Sequence, residues 1–306
     1  MLAVLTGGTG GAKLIQGLSL ETDPAELVVV CNTGDDFVFH GLHISPDVDT
    51  ISYTLAGVAD TEKGWGIKGD TFAALEWIGK YGGETWFKLG DRDLATHITR
   101  TQMLKEGLTL TQATEKIRKA LGVSSALLPM SNDKVETRIR TPKGEISFQE
   151  YFVRDRWSSE VSGVSYEGAE KSRPAPGVVE AIRKARAVIV CPSNPVTSIG
   201  PILAVPGIRA ALKETRARVV GVSPIIQGAA VSGPADKLMA AMGMEASAFG
   251  VAQAYADFLD LFFYAPEDSD HADRIEALGI KNLVTIIRMD SLDDKKLLAR
   301  KVLGFV

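Results

Sequence analysis

Short apolar runs alternate along this chain with segments of helical periodicity, and this alternation restricts the possible folds more than any other feature. Near the start, predicted strands at Leu2–Thr6 and Leu27–Cys31 flank a helix that begins near Gly11. The later chain repeats the pattern, with predicted strands at Ala187–Cys191, Arg218–Ser223, Leu261–Tyr264 and Leu283–Met289 and predicted helices at Gly177–Ala185, Ala235–Met242, Ala248–Leu259, Ser269–Leu278 and from Leu292. We therefore expect an α/β fold, with a mostly parallel sheet and helices on both faces.

The middle of the chain has a different pattern. Its periodicity predicts helices at Asp70–Tyr81, Asp91–Glu106 and Thr111–Leu121, followed by a β-hairpin that turns at Pro142–Gly144. Amphipathic helices need an apolar surface to cover, so residues 70–154 are interpreted as a helical and hairpin insertion that caps the sheet. Residues 1–69 and 155–306 are then expected to form the core. The segment Ser158–Pro176, rich in Ser, Gly and Pro, is predicted to be a loop.

Composition limits the function classes. The chain has 306 residues, of which 45% are hydrophobic and 24% charged, with a formal net charge of -4. This balance fits a globular protein and argues against a nucleic-acid partner, which would require a basic surface. Cys31 and Cys191 each end an apolar run, which favours buried, reduced thiols. Since neither a secretory signal nor a membrane-spanning stretch is evident, we expect a cytoplasmic protein without membrane contact.

A glycine-rich loop follows the first predicted strand. Thr6–Lys13 reads TGGTGGAK and leads into a helix, where backbone N–H groups can approach a phosphate. We therefore assign nucleotide or phosphate contacts to Gly8, Thr9, Gly10, Gly11 and Lys13, the alternative being a purely structural tight turn. The loop lacks the third glycine of dinucleotide folds, and the second strand ends in Asn32 instead of an acid. These departures argue against a nicotinamide-dependent dehydrogenase.

Carboxylates gather after the second predicted strand. Asp35, Asp36, Asp47, Asp49 and Asp60 lie in or near loops at strand ends, which is where ligands bind in open α/β sheets. Clustered carboxylates repel unless a cation or protons offset their charge, and Mg²⁺ prefers a few carboxylates together with phosphate oxygens. We predict a Mg²⁺ site on Asp49, with Asp35 or Asp36 as further ligands. The alternative is that these residues are helix caps and turn formers.

The segment KLGDRDLATH carries a second group of charges at a predicted helix start. Lys88 and Arg92 are candidates to hold negative charge, and Asp91 is a candidate contact for an acceptor substrate. The alternative is a capped helix with a local ion pair, in which His97 is a hydrogen-bonded structural residue. Aromatic residues are frequent nearby, and Trp65 is a candidate to stack on a planar heterocycle, although packing in the core is the common role of such rings.

Two polar turns follow later strands. CPSNPVTSIGPIL carries Ser193, Asn194 and Ser198, and VVGVSPIIQGAAVSGPA carries Ser223 and Ser232. Small hydroxyl and amide groups at strand ends form a rim suited to a ribose, a guanine edge or a diphosphate. They are equally common as ordinary turn residues.

Taken together, these segments resemble the 2-phospho-L-lactate transferase family, which includes bacterial phosphoenolpyruvate-type transferases. The resemblance covers nearly the whole chain, through GGTGGAKL, NTGDD, SPDVDT, GWGIKGDTF, KLGDRDLATH, LLPMSND, PSNPVTSIGPI and SPIIQGAAVSGPA. It implies a Rossmann-like homodimer that depends on Mg²⁺ and acts in coenzyme F420 biosynthesis. It also implies that the deazaflavin alcohol FO attacks the phosphorus nearest the lactate in a guanosine diphosphate-linked lactate or enolpyruvate donor and releases GMP.

The resemblance also implies residue roles. Asp49 and Lys88 match positions that contact FO, and Asp49 serves either the metal or the attacking hydroxyl. The guanosine diphosphate contacts fall on Gly8–Gly11, Ser193, Asn194 and Ser223.

One alternative of another class stays open, a non-catalytic regulator that binds a nucleotide sugar, as in the gluconeogenesis factor family. The aromatic and acid-rich middle of the chain favours the transferase. Whether the donor carries lactate or enolpyruvate depends on one or two pocket contacts and stays open.

Overall fold

A computed structural model of the chain describes residues 1–231 and 233–306. The strands are β1 (Leu2–Thr6), β2 (Leu27–Cys31), β3 (Phe37–Phe39), β4 (Leu42–Ile44), β5 (Ala126–Pro129), β6 (Glu136–Thr141), β7 (Gly144–Ser147), β8 (Gly163–Glu167), β9 (Ala187–Val190), β10 (Arg218–Val222), β11 (Ile225–Ile226), β12 (Ala229–Ala230), β13 (Leu261–Tyr264) and β14 (Lys281–Val284). The helices are α1 (Gly8–Glu21), α2 (Pro46–Leu55), α3 (Ala73–Lys80), α4 (Asp91–Lys105), α5 (Leu110–Ala120), α6 (Val178–Lys184), α7 (Ile199–Ala204), α8 (Ile208–Glu214), α9 (Ala235–Ala241), α10 (Ala248–Ala254), α11 (Ala272–Glu276) and α12 (Leu292–Leu303).

Seven parallel strands form the central sheet, in the order β14-β13-β10-β9-β1-β2-β5. The chain builds outward from β1 in both directions, so the strand order reverses between β1 and β9. In open α/β sheets a ligand crevice forms at this switch point, outside the carboxyl ends of the strands. The predicted Rossmann-like fold is confirmed.

The two faces of the sheet carry separate apolar clusters because successive side chains in a strand point to opposite sides. In β1, Ala3 and Leu5 pack on one face, while Leu2 and Val4 pack on the other. Helices α6, α8 and α10 cover the first face, and α1, α2 and α12 cover the second. Helices therefore lie on both faces, as expected. Among the described residues, no helix is both long and apolar enough to cross a bilayer.

The middle of the chain contributes strands to the central sheet and to a smaller three-stranded sheet, in the order β7-β6-β8. Strand β5, inside the predicted insertion, pairs with β2 as the edge of the central sheet. The predicted hairpin is confirmed as β6 and β7, with Thr141 opposite Gly144. Strand β6 also pairs with β8, so a loop over the whole of Ser158–Pro176 is wrong: Gly163–Glu167 is a strand stabilised by a partner distant in sequence. The boundaries of the predicted insertion stay a prediction.

The last strand is displaced from its predicted position. It covers Lys281–Val284 instead of Leu283–Met289, because it pairs in register with β13, which ends at Tyr264 opposite Val284. Beyond that point the apolar sequence has no neighbouring strand, and Ile286 is exposed.

Candidate active site

The glycine turn lies at the switch point of the sheet. It connects β1 to α1 and is fastened to the turn after β9 by two hydrogen bonds. Gly7 N donates to Ser193 Oγ at 3.3 Å, and Ser193 Oγ donates to Gly7 O at 2.8 Å. Gly7 is the N-cap of α1 and supplies no capping side chain, and the N–H groups of the first turn face the switch point, where the Asp47 carboxylate accepts from Gly8 N. This arrangement favours an anion.

Positions 7 and 11 of the turn are restricted to glycine because polar side chains crowd them. A Cβ placed on Gly7 would lie 2.5 Å from Asp47 Oδ2 and 2.7 Å from Ser198 Cβ. A Cβ on Gly11 would lie 2.6 Å from Ser193 Oγ. The structure therefore brings together the glycine turn, Ser193, Ser198 and Asp47.

Asn32 ties three elements of the site together, a role that the sequence analysis missed. The side-chain amide is fully buried, and Nδ2 donates to Asp47 Oδ2 at 2.9 Å and to Thr197 O at 3.1 Å. Oδ1 accepts from Gly34 N at 2.8 Å. An acid at this position would supply no donor for these two oxygens, which explains why the strand ends in an amide.

Three buried carboxylates lie beside this group. Burial, followed by the nearby charges of Asp47 and Asp36, raises the pKa of Asp35 well above its ordinary value. Burial likewise raises the pKa of Asp47 to about 6, although the bond from Asn32 opposes the shift. Asp36 is better satisfied, since Ser45 Oγ and His43 Nε2 donate to it, but burial still raises its pKa. Such a cluster needs protons or a cation to offset its charge.

Asp49, the first-choice metal ligand, is held by a buried ion pair. It lies in the first turn of α2, and both carboxylate oxygens accept from Arg100 of α4, Oδ2 at 3.0 Å from one terminal nitrogen and Oδ1 from the other. His97 Nδ1 lies 3.6 Å from Asp49 Oδ2. Burial opposes the charge on Arg100, but the Asp49 carboxylate outweighs it and raises the pKa of the guanidinium. The sequence analysis missed Arg100, although its spacing of three residues from His97 places both on one helix face.

The charged segment before α4 forms a reciprocal pair of helix caps. Asp91 Oδ2 accepts from Thr71 Oγ1 at 2.6 Å and from Ala73 N at 3.0 Å, and Oδ1 accepts from Ala74 N at 2.9 Å, at the start of α3. Asp70, just before α3, in turn accepts from Arg92 N at 2.9 Å and caps α4. Both oxygens of Asp91 are thus engaged, which supports the structural reading of this residue.

The predicted cations at this end of α4 are more open to ligands. The Arg92 side chain is exposed, and its guanidinium makes one long bond, 3.4 Å, to Lys68 O. Lys88 is exposed as well and forms no ion pair within the described part of the chain. Both are therefore available to an anionic ligand.

The loop that carries Trp65 runs beside the glycine turn. A Cβ placed on Gly64 would lie 3.4 Å from Thr9 Cγ2. Trp65 is 41% exposed and meets Phe72 edge-on at 6.2 Å. A candidate acceptor contact and a candidate nucleotide contact thus lie on adjoining loops.

Other predicted contacts are engaged in their own turns. Ser223 Oγ donates to Ile225 O at 3.0 Å and accepts from Ile225 N. Asn194 Oδ1 accepts from Val196 N at 2.9 Å. Lys13 lies half-buried further along α1, and Ser232 falls outside the described residues. Within residues 1–231 and 233–306 no three His, Cys, Asp or Glu side chains form a group suited to a metal ion, so the Mg²⁺ ligands stay a prediction.

A glycine turn at a helix N-terminus, set at the switch point of a parallel sheet and surrounded by hydroxyl and carboxylate groups, is typical of α/β proteins that bind phosphate-bearing ligands. The chain belongs to the CofD family: the family model described as 2-phospho-L-lactate transferase CofD matches residues 2–281. The predicted transferase of coenzyme F420 biosynthesis is thereby confirmed at the level of the family.

Curated relatives carry two names. The chain is 45% identical over 308 residues to a phosphoenolpyruvate transferase of Streptomyces griseus, with 99% of this chain and 97% of the relative covered. It is 42% identical over 301 residues to a 2-phospho-L-lactate transferase of Methanosarcina mazei, with 98% and 99% covered. Its fold is similar to that of a UPF0052 family protein from Bacillus halodurans, at a TM-score of 0.65, 18% identity and coverage of 99% and 98%.

Proposed function

We propose that this chain transfers a 2-phospho-L-lactyl group, or its phosphoenolpyruvate-type counterpart, from a guanosine diphosphate-linked donor to FO. One observation carries the proposal. The glycine turn of α1 is packed against Asp47 of α2, and Asp49 lies two residues further along the same helix. Groups suited to a diphosphate and groups suited to an attacking alcohol therefore share one edge of the sheet.

The donor half of the site follows from the glycine turn. The N–H groups at the start of α1 and the positive end of its dipole favour the diphosphate. Ser198, at the same turn, supplies a hydroxyl group for the phosphate or the ribose, while Ser193 Oγ donates to Gly7 O and holds the turn in place. The exposed Lys88 and Arg92 would hold the negative charge that develops on the moving group.

The acceptor half follows from Asp49 and the Trp65 loop. The ribityl hydroxyl oxygen of FO attacks the phosphorus nearest the lactate, the bond from that phosphorus to the GMP oxygen breaks with its electron pair staying on GMP, and the hydroxyl proton passes to the Asp49 carboxylate. Asp49 orients the hydroxyl and accepts a hydrogen bond from it, while Trp65 offers a ring to the deazaflavin. Transfer of this kind needs positioning and charge neutralisation more than covalent chemistry from the protein.

Mg²⁺ dependence is part of the proposal, and one orphaned atom supports it. Asp35 Oδ1 is buried and has no hydrogen-bond partner among the described residues, and the Asp47 carboxylate lies close enough to raise the pKa of Asp35. Two carboxylates and phosphate oxygens fit the ligand preference of Mg²⁺. Both oxygens of Asp36 and of Asp49 already accept hydrogen bonds, which makes Asp35 the freest of the three predicted ligands. Bound there, Mg²⁺ would neutralise charge on the diphosphate.

The test is direct transfer. Purified protein is incubated with FO, Mg²⁺ and the lactyl or enolpyruvyl guanosine donor, and GMP and phosphorylated FO are quantified by chromatography. We expect stoichiometric formation of both, and loss of turnover on chelation with restoration by Mg²⁺. Tight binding of a nucleotide sugar without any turnover would instead identify a regulator. Sedimentation of the same sample tests the further proposal of a homodimer.

A further inference from the structure

A buried polar network joins α2 to α4 behind Asp49. Tyr53 Oη donates to Asp93 Oδ1 at 2.7 Å, and His97 Nε2 lies 3.2 Å from the same oxygen. On its other side, His97 Nδ1 lies 3.4 Å from a terminal nitrogen of Arg100. Tyr53, His97 and Arg100 are all at most 2% exposed, so none of them touches a ligand directly.

We infer that Arg100 is a positioning residue for the transfer reaction, supported by His97, and that it acts by fixing the plane of the Asp49 carboxylate toward the acceptor hydroxyl. This inference rests on the proposed function. It assigns a role to a residue that does not contact substrate.

The geometry of the guanidinium supports this role. Arg100 places both terminal nitrogens on Asp49, and its Nε–H has no partner among the described residues. The orientation of the guanidinium thus favours the two-point contact and leaves its Nε–H donor without a hydrogen bond. A two-point contact fixes a carboxylate in a plane, and each oxygen keeps one further lone pair for a ligand.

Stability does not explain the pair. Taking two charges out of water costs free energy, and apolar residues in the place of a buried ion pair are often equally stabilising or more so. The Asp49 side chain also lies in the first turn of a helix, where it would otherwise be free to turn toward the helix N–H groups. Arg100 prevents this, and a lysine would not, since it offers a point charge without the planar fork.

The experiment is a double-mutant cycle on transfer, with wild type, Arg100→Lys, Asp49→Asn and the double variant. We expect Arg100→Lys to lower kcat with FO by about 10-fold to 100-fold, the effect typical of a residue that orients a ligating group. GDP affinity should stay within about 2-fold of wild type, because the donor half is untouched. In the Asp49→Asn background, Arg100→Lys should have no further effect on kcat.

Two results would overturn the inference: wild-type kcat in Arg100→Lys, or the same fold-loss with and without Asp49. Arg209→Lys, on a surface ion pair with Asp257, is the matched control and should behave as wild type. If Arg100→Lys does not fold, His97→Asn replaces it in the cycle. We expect His97→Asn to lower kcat by less than Arg100→Lys, and this fall must be absent in the Asp49→Asn background. If the wild-type protein shows no transfer, the proposed function is contradicted but the role of Arg100 is not. The affinity for FO is then measured in the same four proteins instead of kcat.

Discussion

Asp49 and Arg100 form a buried pair, 4% and 0% exposed, so changing one member leaves the other charge without compensation. Asp49→Asn keeps the shape of the side chain but removes its charge. We expect transfer to fall by about 100-fold or more, because an amide accepts weakly and would present its NH₂ group to Arg100 or to the substrate. The free energy of unfolding should fall as well, by about 3 kcal/mol, the loss typical of breaking a buried ion pair. Turnover and urea denaturation measure the two effects.

Asp293→Asn is the control for this change, since Asp293 is exposed on α12. It should leave both turnover and stability at the wild-type level. Wild-type turnover in a folded Asp49→Asn protein would remove Asp49 from the reaction.

Asp47 gives the protein a defined pH dependence. Its pKa in the folded chain is about 6, above the value of about 3.9 for a solvated aspartate, so the folded state binds the proton more tightly than the unfolded state. The contribution of Asp47 to the unfolding free energy should therefore fall by at most about 3 kcal/mol as the pH rises from about 4 to about 6 and then level off, while the raised pKa values of Asp35 and Asp36 add to the fall. In Asp47→Asn this contribution is absent, so the stability difference between wild type and variant should grow in favour of wild type as the pH is lowered from 7 to 4.

Urea titrations of both proteins at several pH values check this expectation. A stability difference that does not change between pH 4 and pH 7 would show that folding leaves the pKa of Asp47 unshifted.

A substitution at Gly7 tests the packing of the glycine turn. In Gly7→Ala the new methyl group would overlap Asp47 Oδ2 and Ser198 Cβ, so the turn must move away from its present position. We expect GDP affinity to fall by about 10-fold or more, because the N–H groups of α1 would no longer converge on the phosphate. Gly163→Ala is the matched control, since the atom nearest to its added Cβ is 3.7 Å away at the end of the Arg140 side chain. Equal GDP affinities in the two variants, measured by calorimetry, would contradict the crowded turn.

At the scale of elements, the reciprocal caps of α3 and α4 make separable predictions. Asp91→Ala should leave the first N–H groups of α3 unpaired and speed hydrogen exchange over residues 73–80, since Asp91 accepts three bonds there. Asp70→Ala should instead speed exchange at the start of α4, because Asp70 accepts hydrogen bonds from the first N–H groups of that helix. Exchange measured by mass spectrometry in both variants distinguishes the caps, and faster exchange in α4 alone for Asp91→Ala would contradict the pairing.

Local sequence patterns were sufficient to predict most of the strands and helices. The strands at Leu2–Thr6, Leu27–Cys31 and Leu261–Tyr264 lie where the sequence placed them, because each is a buried apolar run between turn residues. The helix at Asp91–Lys105 is within one residue of its prediction. Strand β8 was missed because its stability comes from pairing with β6, a contact across more than 20 residues that no local pattern records.

In the candidate site, too, local sequence was sufficient for some residues and not for those that depend on distant contacts. The glycine turn, Ser193 and the carboxylates were candidates from the sequence because they follow predicted strands, and ligands bind at the carboxyl ends of strands in open α/β sheets. Asn32 and Arg100 were missed because each acts through partners on other elements, Asp47 on α2 for the first and Asp49 on α2 for the second. Their function depends on how α2 and α4 approach each other, which is a property of the packed chain.

At the scale of the whole molecule, the strands connect distant parts of the chain. Strand β5, from the middle, completes the central sheet beside β2, and β6 pairs with β8 from the later half. Removing residues 70–154 would therefore remove an edge strand of the core and the strand that pairs with β8. The fold is expected to depend on every part of the chain that contributes to these two sheets.

This interdependence predicts a single unfolding transition. In scanning calorimetry the calorimetric and van't Hoff enthalpies should agree, because no segment that contributes to the central sheet can unfold and leave the rest intact. Guanosine diphosphate at about 100 times its Kd should raise the unfolding free energy by about 2.7 kcal/mol and shift the whole transition, not one part of it. Two separate transitions, only one of which responds to the nucleotide, would show that the middle of the chain folds as an independent unit.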